Sequence, residues 1–227
     1  MSERWATFDC YGTLIDWNGG IATTLRRLWP AADTQRLLAR YHVVEPLAEA
    51  APAVAYRQVL ARSMRALAAL DDLPLAASEA YALAESLPTW PAFPDVAPAL
   101  RALRERGWRL AILSNTDPDL LEASMRQIGV PIDLAITAAD AGGYKPAHGH
   151  WRRFFERTGA TRGRHVHVGA SPFHDLAPAH ELGLHAVWIN RLGEQSGIPR
   201  AAELTSCQEL PETLARLVPP GPDSPTA

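Results

Sequence analysis

Polar side chains suited to nucleophilic or acid–base chemistry stand directly after short apolar runs of this 227-residue chain. In chain order they are Asp9, then Ser114 with Asn115, then Ser171 with Asp175. If the runs are parallel strands of one sheet, their carboxyl ends lie at the same edge, where open α/β sheets bind ligands. Each residue taken alone would also fit a helix cap or a loop. Their order along the chain instead predicts one shared crevice.

The chain contains a single lysine, Lys145, among 22 basic residues, and the other 21 are arginine. It follows the short apolar run 134–137 by one loop. A compact ammonium group can approach one carboxylate oxygen closely, whereas a guanidinium group presents a planar fork. We therefore interpret Lys145 as a further member of the crevice, although a rare residue could also occupy this position by chance.

The elements that must position these residues follow from the periodicity of the chain. Strand-like apolar runs occupy residues 4–8, 109–113, 134–137, 165–168 and 185–189. Segments with helical spacing separate the later runs, and the connections are short. This alternation predicts an α/β fold with a doubly wound, Rossmann-like parallel sheet covered by helices on both faces. Gly12, in the turn after Asp9, permits backbone angles that other residues avoid.

Residues 16–91 differ from the rest of the chain. Leu, Val and Ala recur there at helical spacing, in segments 21–29, 34–42, 54–70 and 78–87, and no strand pattern interrupts them. The sequence thus predicts a core made of residues 1–15 and 92–218 and an inserted helical cap domain at 16–91. The Pro-rich residues 219–227 are predicted to be a disordered tail. The crevice would lie between core and cap.

The overall composition excludes several classes of protein. Hydrophobic residues make up 47% of the chain and the formal net charge is −3, without blocks of like charge. This balance argues against nucleic acid or an anionic membrane as the main partner. No apolar run is long enough to span a bilayer, and no signal segment is recognisable at the N-terminus. Two cysteines form neither a disulfide framework nor a zinc site, so we expect a globular protein of the cytoplasm.

Four short motifs in this order resemble the haloacid dehalogenase superfamily of hydrolases. They are FDCYGTL at 8–14, LSN at 113–115, YKP at 144–146 and HVGASPFHD at 167–175. The resemblance extends from about residue 8 to residue 191. It implies a covalent mechanism in which Asp9 is the nucleophile, Lys145 neutralises charge around that carboxylate, and Ser114 supplies a hydrogen bond.

Most members of this superfamily transfer phosphoryl groups, and two positions argue against that chemistry here. The phosphatases carry a general acid two residues after the nucleophile, where this chain has Tyr11. Tyr, with an ordinary pKa near 10, is a poor acid beside a phosphate ester. The fourth phosphatase motif also supplies an aspartate to Mg²⁺, and Ala170 stands in its place. No metal and no cofactor are therefore expected.

Tyr11 matches instead the 2-haloacid dehalogenase branch, whose substrates lose a halide ion and need neither a proton donor nor a metal. The resemblance implies that Asp9 displaces halide from short 2-haloalkanoic acids, and that water then hydrolyses the aspartyl ester with help from Asp175, leaving a 2-hydroxy acid. Thr13 and Ser114 would bind carboxylate oxygens. Asn115, Ser171 and Tyr11 would line the substrate pocket.

Two further pocket residues are expected. The branch uses a cap arginine to bind the departing halide, and Arg40 lies at the corresponding distance from Asp9, although the cap contains many other arginines. Trp151 would either wall the pocket or pack in the core. The branch also carries an asparagine before its last aspartate. This chain has none there, and His174 is a candidate substitute. The isolated histidines, including His42 and His150, are interpreted as surface or packing residues.

Two alternative functions stay open from the sequence alone. One is a Mg²⁺-dependent phosphatase that uses an unusual acid. The other is a binding protein that keeps the fold but has lost turnover, as the changed motif positions would allow. The expected partner is a small-molecule haloacid, and the resemblance also allows a homodimer formed through the cap.

Overall fold

The computed structural model describes residues 3–50 and 55–220, and it confirms the predicted α/β class. Six strands in this part of the chain form one sheet of order β3-β2-β1-β4-β5-β6, with every neighbouring pair parallel. The strands are Arg4–Phe8 (β1), Trp108–Ser114 (β2), Leu134–Thr137 (β3), His165–Gly169 (β4), His185–Ile189 (β5) and Ala202–Leu204 (β6). The first strand therefore lies in the middle of the sheet, next to β2 and β4.

Helices connect the strands and form the insertion. They are Trp17–Leu28 (α1), Thr34–Glu49 (α2), Tyr56–Leu70 (α3), Ala82–Ser86 (α4), Val96–Glu105 (α5), Pro118–Ile128 (α6), Ala138–Ala141 (α7), Gly149–Thr158 (α8), Ala177–Glu181 (α9) and Leu210–Leu217 (α10). A π-helical turn, Pro172–Leu176, precedes α9, and short 3-10 turns occupy Glu79–Tyr81, Leu87–Thr89 and Arg162–Arg164. None of the described helices is long and apolar enough to cross a lipid bilayer.

The sheet is buried on both faces, as the near-continuous apolar strands require. Because successive side chains of a strand point to opposite faces, Ala6 and Phe8 of β1 join the core cluster that includes Leu100 of α5. Trp5 packs on the other face, against Phe154 of α8, at a ring separation of 5.5 Å. The central strand thereby holds Asp9, the next residue, at the carboxyl edge between two packed layers.

The predicted strands agree closely with the structure, but two predicted helices do not. The continuous helix expected at 78–87 is a 3-10 turn followed by the five-residue α4. The helix expected at 34–42 continues to Glu49. Strand β6 and helix α10 were not predicted. The start of the helix expected at 54–70, and all but the first two residues of the predicted disordered tail, lie outside the described residues.

Helices α1 to α4 lie between β1 and β2 in the chain, and two adjacent segments connect them to the core. Asp16 N donates to Pro91 O at 2.9 Å, and Phe93 N donates to Leu14 O at 3.0 Å. Ile15 and Ala92 form an antiparallel bridge between these two bonds. The predicted domain boundaries at residues 15 and 92 stay predictions, and this bridge lies where they are drawn.

Candidate active site

The turn after β1 presents Asp9 at the sheet edge. Gly12 adopts a φ of 86°, in the left-handed region that favours glycine. Leu14 N and Ile15 N both donate to Cys10 O, at 2.8 and 2.9 Å, which closes the turn. The chain thereby folds back so that Thr13 Oγ1 donates to Asp9 Oδ2 at 2.8 Å. The turn predicted from Gly12 is confirmed.

Lys145 lies between two carboxylates. Its Nζ is 2.8 Å from Asp9 Oδ1 and 2.7 Å from Asp175 Oδ1, and its side chain is almost completely buried. The amide of Asn115 fixes the backbone of Lys145 from both sides: Lys145 N donates to Asn115 Oδ1 at 2.6 Å, and Asn115 Nδ2 donates to Lys145 O at 3.0 Å. Asn115 thus positions the ammonium group.

Asp175 reaches this cluster because Gly169 has no side chain. A Cβ at Gly169 would lie 2.4 Å from the Asp175 carboxyl group, which is too close for any other residue. Oδ2 of Asp175 accepts a hydrogen bond from Ser171 N at 3.0 Å, and Oδ1 lies 3.3 Å from His167 Nε2 as well as beside Lys145. Asp175 is fully buried, so its oxygens serve this network.

The charges of the cluster shift one another's pKa values. Burial by itself would lower the pKa of Lys145, but Asp175 and Asp9 raise it above its ordinary value. Burial would likewise raise the pKa of Asp175, yet Lys145 and His167 hold it well below its usual range. Burial raises the pKa of Asp9, and Lys145 and Thr13 oppose that shift. The cluster therefore keeps Lys145 charged and Asp175 ionised at neutral pH.

A cavity of 490 Å³ opens in front of Asp9, between the core and the helices inserted after β1. Its core wall carries seven residues from the strand ends and the loops that follow them, namely Tyr11, Ser114, Asn115, Lys145, Ser171, Phe173 and His174. Ser114 Oγ is buried and has no hydrogen-bond partner among the described residues. This hydroxyl is available to a bound molecule.

The helical wall of the cavity is acidic, which the sequence did not predict. It carries Trp17, His42, Glu45, Pro46, Glu49 and Tyr56. Glu49 Oε1 accepts from Asn115 Nδ2 at 2.8 Å, and Glu49 Oε2 lies 3.1 Å from His174 Nε2. Glu45 Oε1 accepts from the Tyr56 hydroxyl at 3.1 Å. Burial and the neighbouring Glu49 raise the pKa of Glu45 to about 7.

Arg40 does not line this cavity, contrary to expectation. His42, Glu45 and Glu49 follow one another on α2 at spacings of three and four, and so share one face. Arg40 lies two residues before His42, on the far side of the helix. There it forms an ion pair with Asp71 at 2.9 Å and is 43% exposed. In this structure it does not occupy the position of a halide-binding group.

Trp151 is also absent from the cavity wall, and it packs in the core. It is fully buried in the apolar cluster on the Trp5 face of the sheet, with its ring 5.0 Å from His167, edge to face. His150, beside it, is buried as well, and its Nε2 donates to Ser114 O at 3.0 Å. His42, interpreted from the sequence as a surface or packing residue, instead lines the cavity.

Tyr11 lines the cavity, but its hydroxyl is bound elsewhere. It lies 2.9 Å from Ser124 Oγ on α6. Burial, followed by the nearby Cys10, raises the pKa of Tyr11 well above its ordinary value. The phenol therefore stays protonated and does not act as an acid toward a group bound at Asp9.

The residues present do not fit a Mg²⁺ ion of the kind that phosphatases of this fold use. Mg²⁺ requires several oxygen ligands in near-octahedral geometry. Both oxygens of Asp9 and both oxygens of Asp175 already have hydrogen-bond partners, with an ammonium group between the carboxylates. Ala170 offers no side-chain oxygen. Within residues 3–50 and 55–220, no group of three or more His, Cys, Asp or Glu side chains is arranged to hold a metal.

The model of the family described as haloacid dehalogenase-like hydrolase matches residues 4–183 of the chain. The chain belongs to this family. Residues 4–183 include the cluster around Asp9 and Lys145 as well as all four motifs, so the resemblance drawn from the sequence is confirmed. The enzyme class, a hydrolase, follows from the family.

Individual relatives agree with this assignment. The chain is 28% identical over 234 residues to (S)-2-haloacid dehalogenase 1 of Pseudomonas sp. (strain CBS-3), covering 94% of this chain and 97% of that protein. It is 28% identical over 237 residues to (S)-2-haloacid dehalogenase 4A of Burkholderia cepacia, covering 96% and 97%. The crystal structure of the L-2-haloacid dehalogenase RSc1362 superimposes with a TM-score of 0.84 at 26% identity, covering 94% of this chain and 99% of that one.

Proposed function

We propose that this hydrolase converts 2-haloalkanoic acids to 2-hydroxy acids through an ester formed on Asp9. The observation that carries the proposal is the setting of Asp9 in the cavity wall, with Oδ1 bound to Lys145 at 2.8 Å and Oδ2 bound to Thr13 at 2.8 Å. The similarity to the three dehalogenases named above supports it. We also propose that it acts in the cytoplasm, because Cys10 and Cys207 are buried free thiols.

The first step is a displacement at carbon. A carboxylate oxygen of Asp9 attacks C2 of the haloacid, the carbon–halogen bond breaks, and halide leaves with the electron pair. Because halide leaves without a proton, this step does not need a general acid at position 11, where this chain has Tyr. Ser114 Oγ, which has no partner in the described chain, is the group we assign to the substrate carboxylate.

The second step is hydrolysis of the ester. Water adds to the Asp9 carbonyl carbon and the ester bond breaks. The 2-hydroxy acid leaves with the oxygen that Asp9 contributed and one proton of the water, and the second proton is released to solvent. Lys145 would stabilise the negative charge that develops on the carbonyl oxygen. Asp175 is held ionised and does not line the cavity, so we assign it to positioning Lys145. His174 lines the cavity, its ring nitrogens face Glu49 and Ser171, and it is the candidate residue for positioning the water.

The decisive experiment measures halide release from 2-bromopropionate in EDTA, for the wild type and Asp9→Asn. We expect release from the wild type and a loss of about 10⁴-fold or more in the variant. A single turnover in ¹⁸O-water should place the label in Asp9 rather than in the product. Halide release equal in both proteins, or none from either, would overturn the proposal.

The same samples separate the alternative functions. A Mg²⁺-dependent phosphatase would hydrolyse para-nitrophenyl phosphate and lose that activity in EDTA. A binding protein without turnover would form no covalent adduct on Asp9 after exposure to the haloacid, as measured by the mass of the intact protein.

A further inference from the structure

A second cavity, of 480 Å³, adjoins the cavity at Asp9. The two share five lining residues, Tyr11, Trp17, His42, Ser171 and Phe173. We call the second one the outer cavity. Its remaining walls come from the loop after β5, from Phe93, and from the segment around Asp16. The shared residues place the two cavities next to each other, so the outer cavity is the space adjoining a molecule bound at Asp9.

The outer cavity is lined by exposed apolar side chains. Phe173 is 61% exposed and Leu192 is 64% exposed, and both line it. Pro172, Ile189 and Phe93 line it as well. Large apolar side chains gathered in a concave surface are typical of sites that bind apolar ligands.

Several charged and amide groups of the outer cavity have partners within the chain. Asp16 accepts from Gly19 N at 2.9 Å, as the cap of α1. Arg191 binds Asp95 at 2.8 Å and lies over the ring of Phe93 at 3.8 Å. Asn190 donates to Glu203 at 2.7 Å. Trp17 Nε1, Asn18 Oδ1 and Arg191 Nε, by contrast, are buried without a hydrogen-bond partner among the described residues. The apolar contacts that the cavity can give come from Phe173, Leu192 and the neighbouring apolar side chains.

The volume also exceeds what the smallest haloacids need. Cavities of about 300–1,000 Å³ hold ligands of drug size, and the cavity at Asp9 by itself has 490 Å³. We propose that the outer cavity binds the alkyl chain of the substrate, and that 2-haloacids with an extended apolar chain are therefore better substrates than haloacetate or 2-halopropionate. This inference rests on the proposed function and extends the expected range of substrates from short haloacids to those with longer chains.

The test compares kcat/KM for 2-bromopropionate, 2-bromobutanoate and 2-bromohexanoate. Burial of each added methylene group should raise kcat/KM by about three- to fourfold in the wild type. Leu192→Asp should abolish most of this gain and leave 2-bromopropionate unaffected. Leu70→Asp is the matched control, because Leu70 is 60% exposed and lines neither cavity. The inference would be overturned if kcat/KM of the wild type stays constant or falls as the chain lengthens. It would also be overturned if Leu192→Asp and Leu70→Asp show the same dependence on chain length.

Failure of the proposed function gives a different result. In that case no member of the series releases halide, including 2-bromopropionate. Binding of butanoate, hexanoate and octanoate, measured by calorimetry, then tests the outer cavity without turnover. Affinity that rises with chain length in the wild type and in Leu70→Asp, but not in Leu192→Asp, would support the inference. Affinity independent of chain length would refute it.

Discussion

Glu49 of α2 lies 3.1 Å from His174 of the π-helical turn after β4, and this pair joins the inserted helices to the core in the wall of the cavity. The same carboxylate accepts a hydrogen bond from Asn115, the residue that holds the Lys145 backbone. One side chain of the cap is therefore connected to two of the core segments that build the site.

Glu49→Gln should weaken this connection in a pH-dependent way. Burial lowers the pKa of His174, but the bond to Glu49 raises it above its ordinary value. The ion pair is therefore complete below the ordinary histidine pKa and is lost as pH rises through the higher folded value. We expect KM of the wild type to rise on the alkaline side, and KM of Glu49→Gln to be higher at acid pH and nearly constant.

The control for this change is Glu181→Gln, which removes a His–Glu pair of similar length at the surface, between His148 and Glu181. It should leave the pH profile of KM as in the wild type. A Glu49→Gln profile that parallels the wild type would show that the Glu49–His174 pair does not control binding.

Lys145→Met should destabilise the fold as well as abolish activity. It leaves Asp9 and Asp175 buried next to each other without a cation, which costs about 3–5 kcal/mol in comparable buried pairs. Urea unfolding at neutral pH measures the loss. The double variant, Lys145→Met with Asp175→Asn, removes one of the two unpaired carboxylate charges. It should recover part of the stability but none of the activity. Equal stabilities of the single and double variants would contradict this account of the cluster.

Glu45→Gln should change how stability depends on pH. The pKa of Glu45 is raised from 4.5 to about 7 in the folded protein. Its contribution to stability is complete below pH 4.5 and is lost as pH rises through 7. As pH rises through this range, we expect the free energy of unfolding of Glu45→Gln to increase by about 2–3 kcal/mol relative to that of the wild type. Glu105→Gln, at the exposed end of α5, should show no such gain. Parallel curves of unfolding free energy for Glu45→Gln and the wild type would refute the shift.

His150 should act in the opposite direction. Burial, and then Lys145, lowers the pKa of His150 from 6.5 to about 4. Its contribution to stability is complete above pH 6.5 and is lost as pH falls through 4. In His150→Gln, the loss of stability over this range should be smaller than in the wild type by about 2–3 kcal/mol. The control is His148→Gln, at a half-exposed histidine. Identical curves of unfolding free energy against acid pH for the wild type and His150→Gln would show that His150 does not control stability in this range.

The core half of the site could be predicted because parallel strands fix where their carboxyl ends meet. Asp9, Lys145 and Asp175 are far apart in the sequence, and the structure brings them within direct contact. Ser114 and Asn115 follow from the same rule. The exact partners, such as the two bonds from Asn115 to the Lys145 backbone, depend on loop conformations that strand spacing does not determine.

The cap half could not be predicted, because α2 carries apolar side chains on more than one face. Val44 is buried, whereas Val43 and Leu47 are exposed, so the periodicity does not reveal which face is turned to the core. Sequence distance from Asp9 indicates Arg40, and no pattern in the sequence marks Glu45 or Glu49 as cavity residues. Only the packing of α2 against α3 and the core distinguishes them.

The paired segments at Ile15 and Ala92 have a consequence for how this protein can vary. The chain leaves the core and returns to it at neighbouring points. The entropy lost in bringing the ends of the inserted segment together therefore depends only weakly on its length. The inserted helices can be lengthened, shortened or exchanged beyond these paired segments without moving the central strand. Specificity can therefore diverge on one side of a fixed reaction centre.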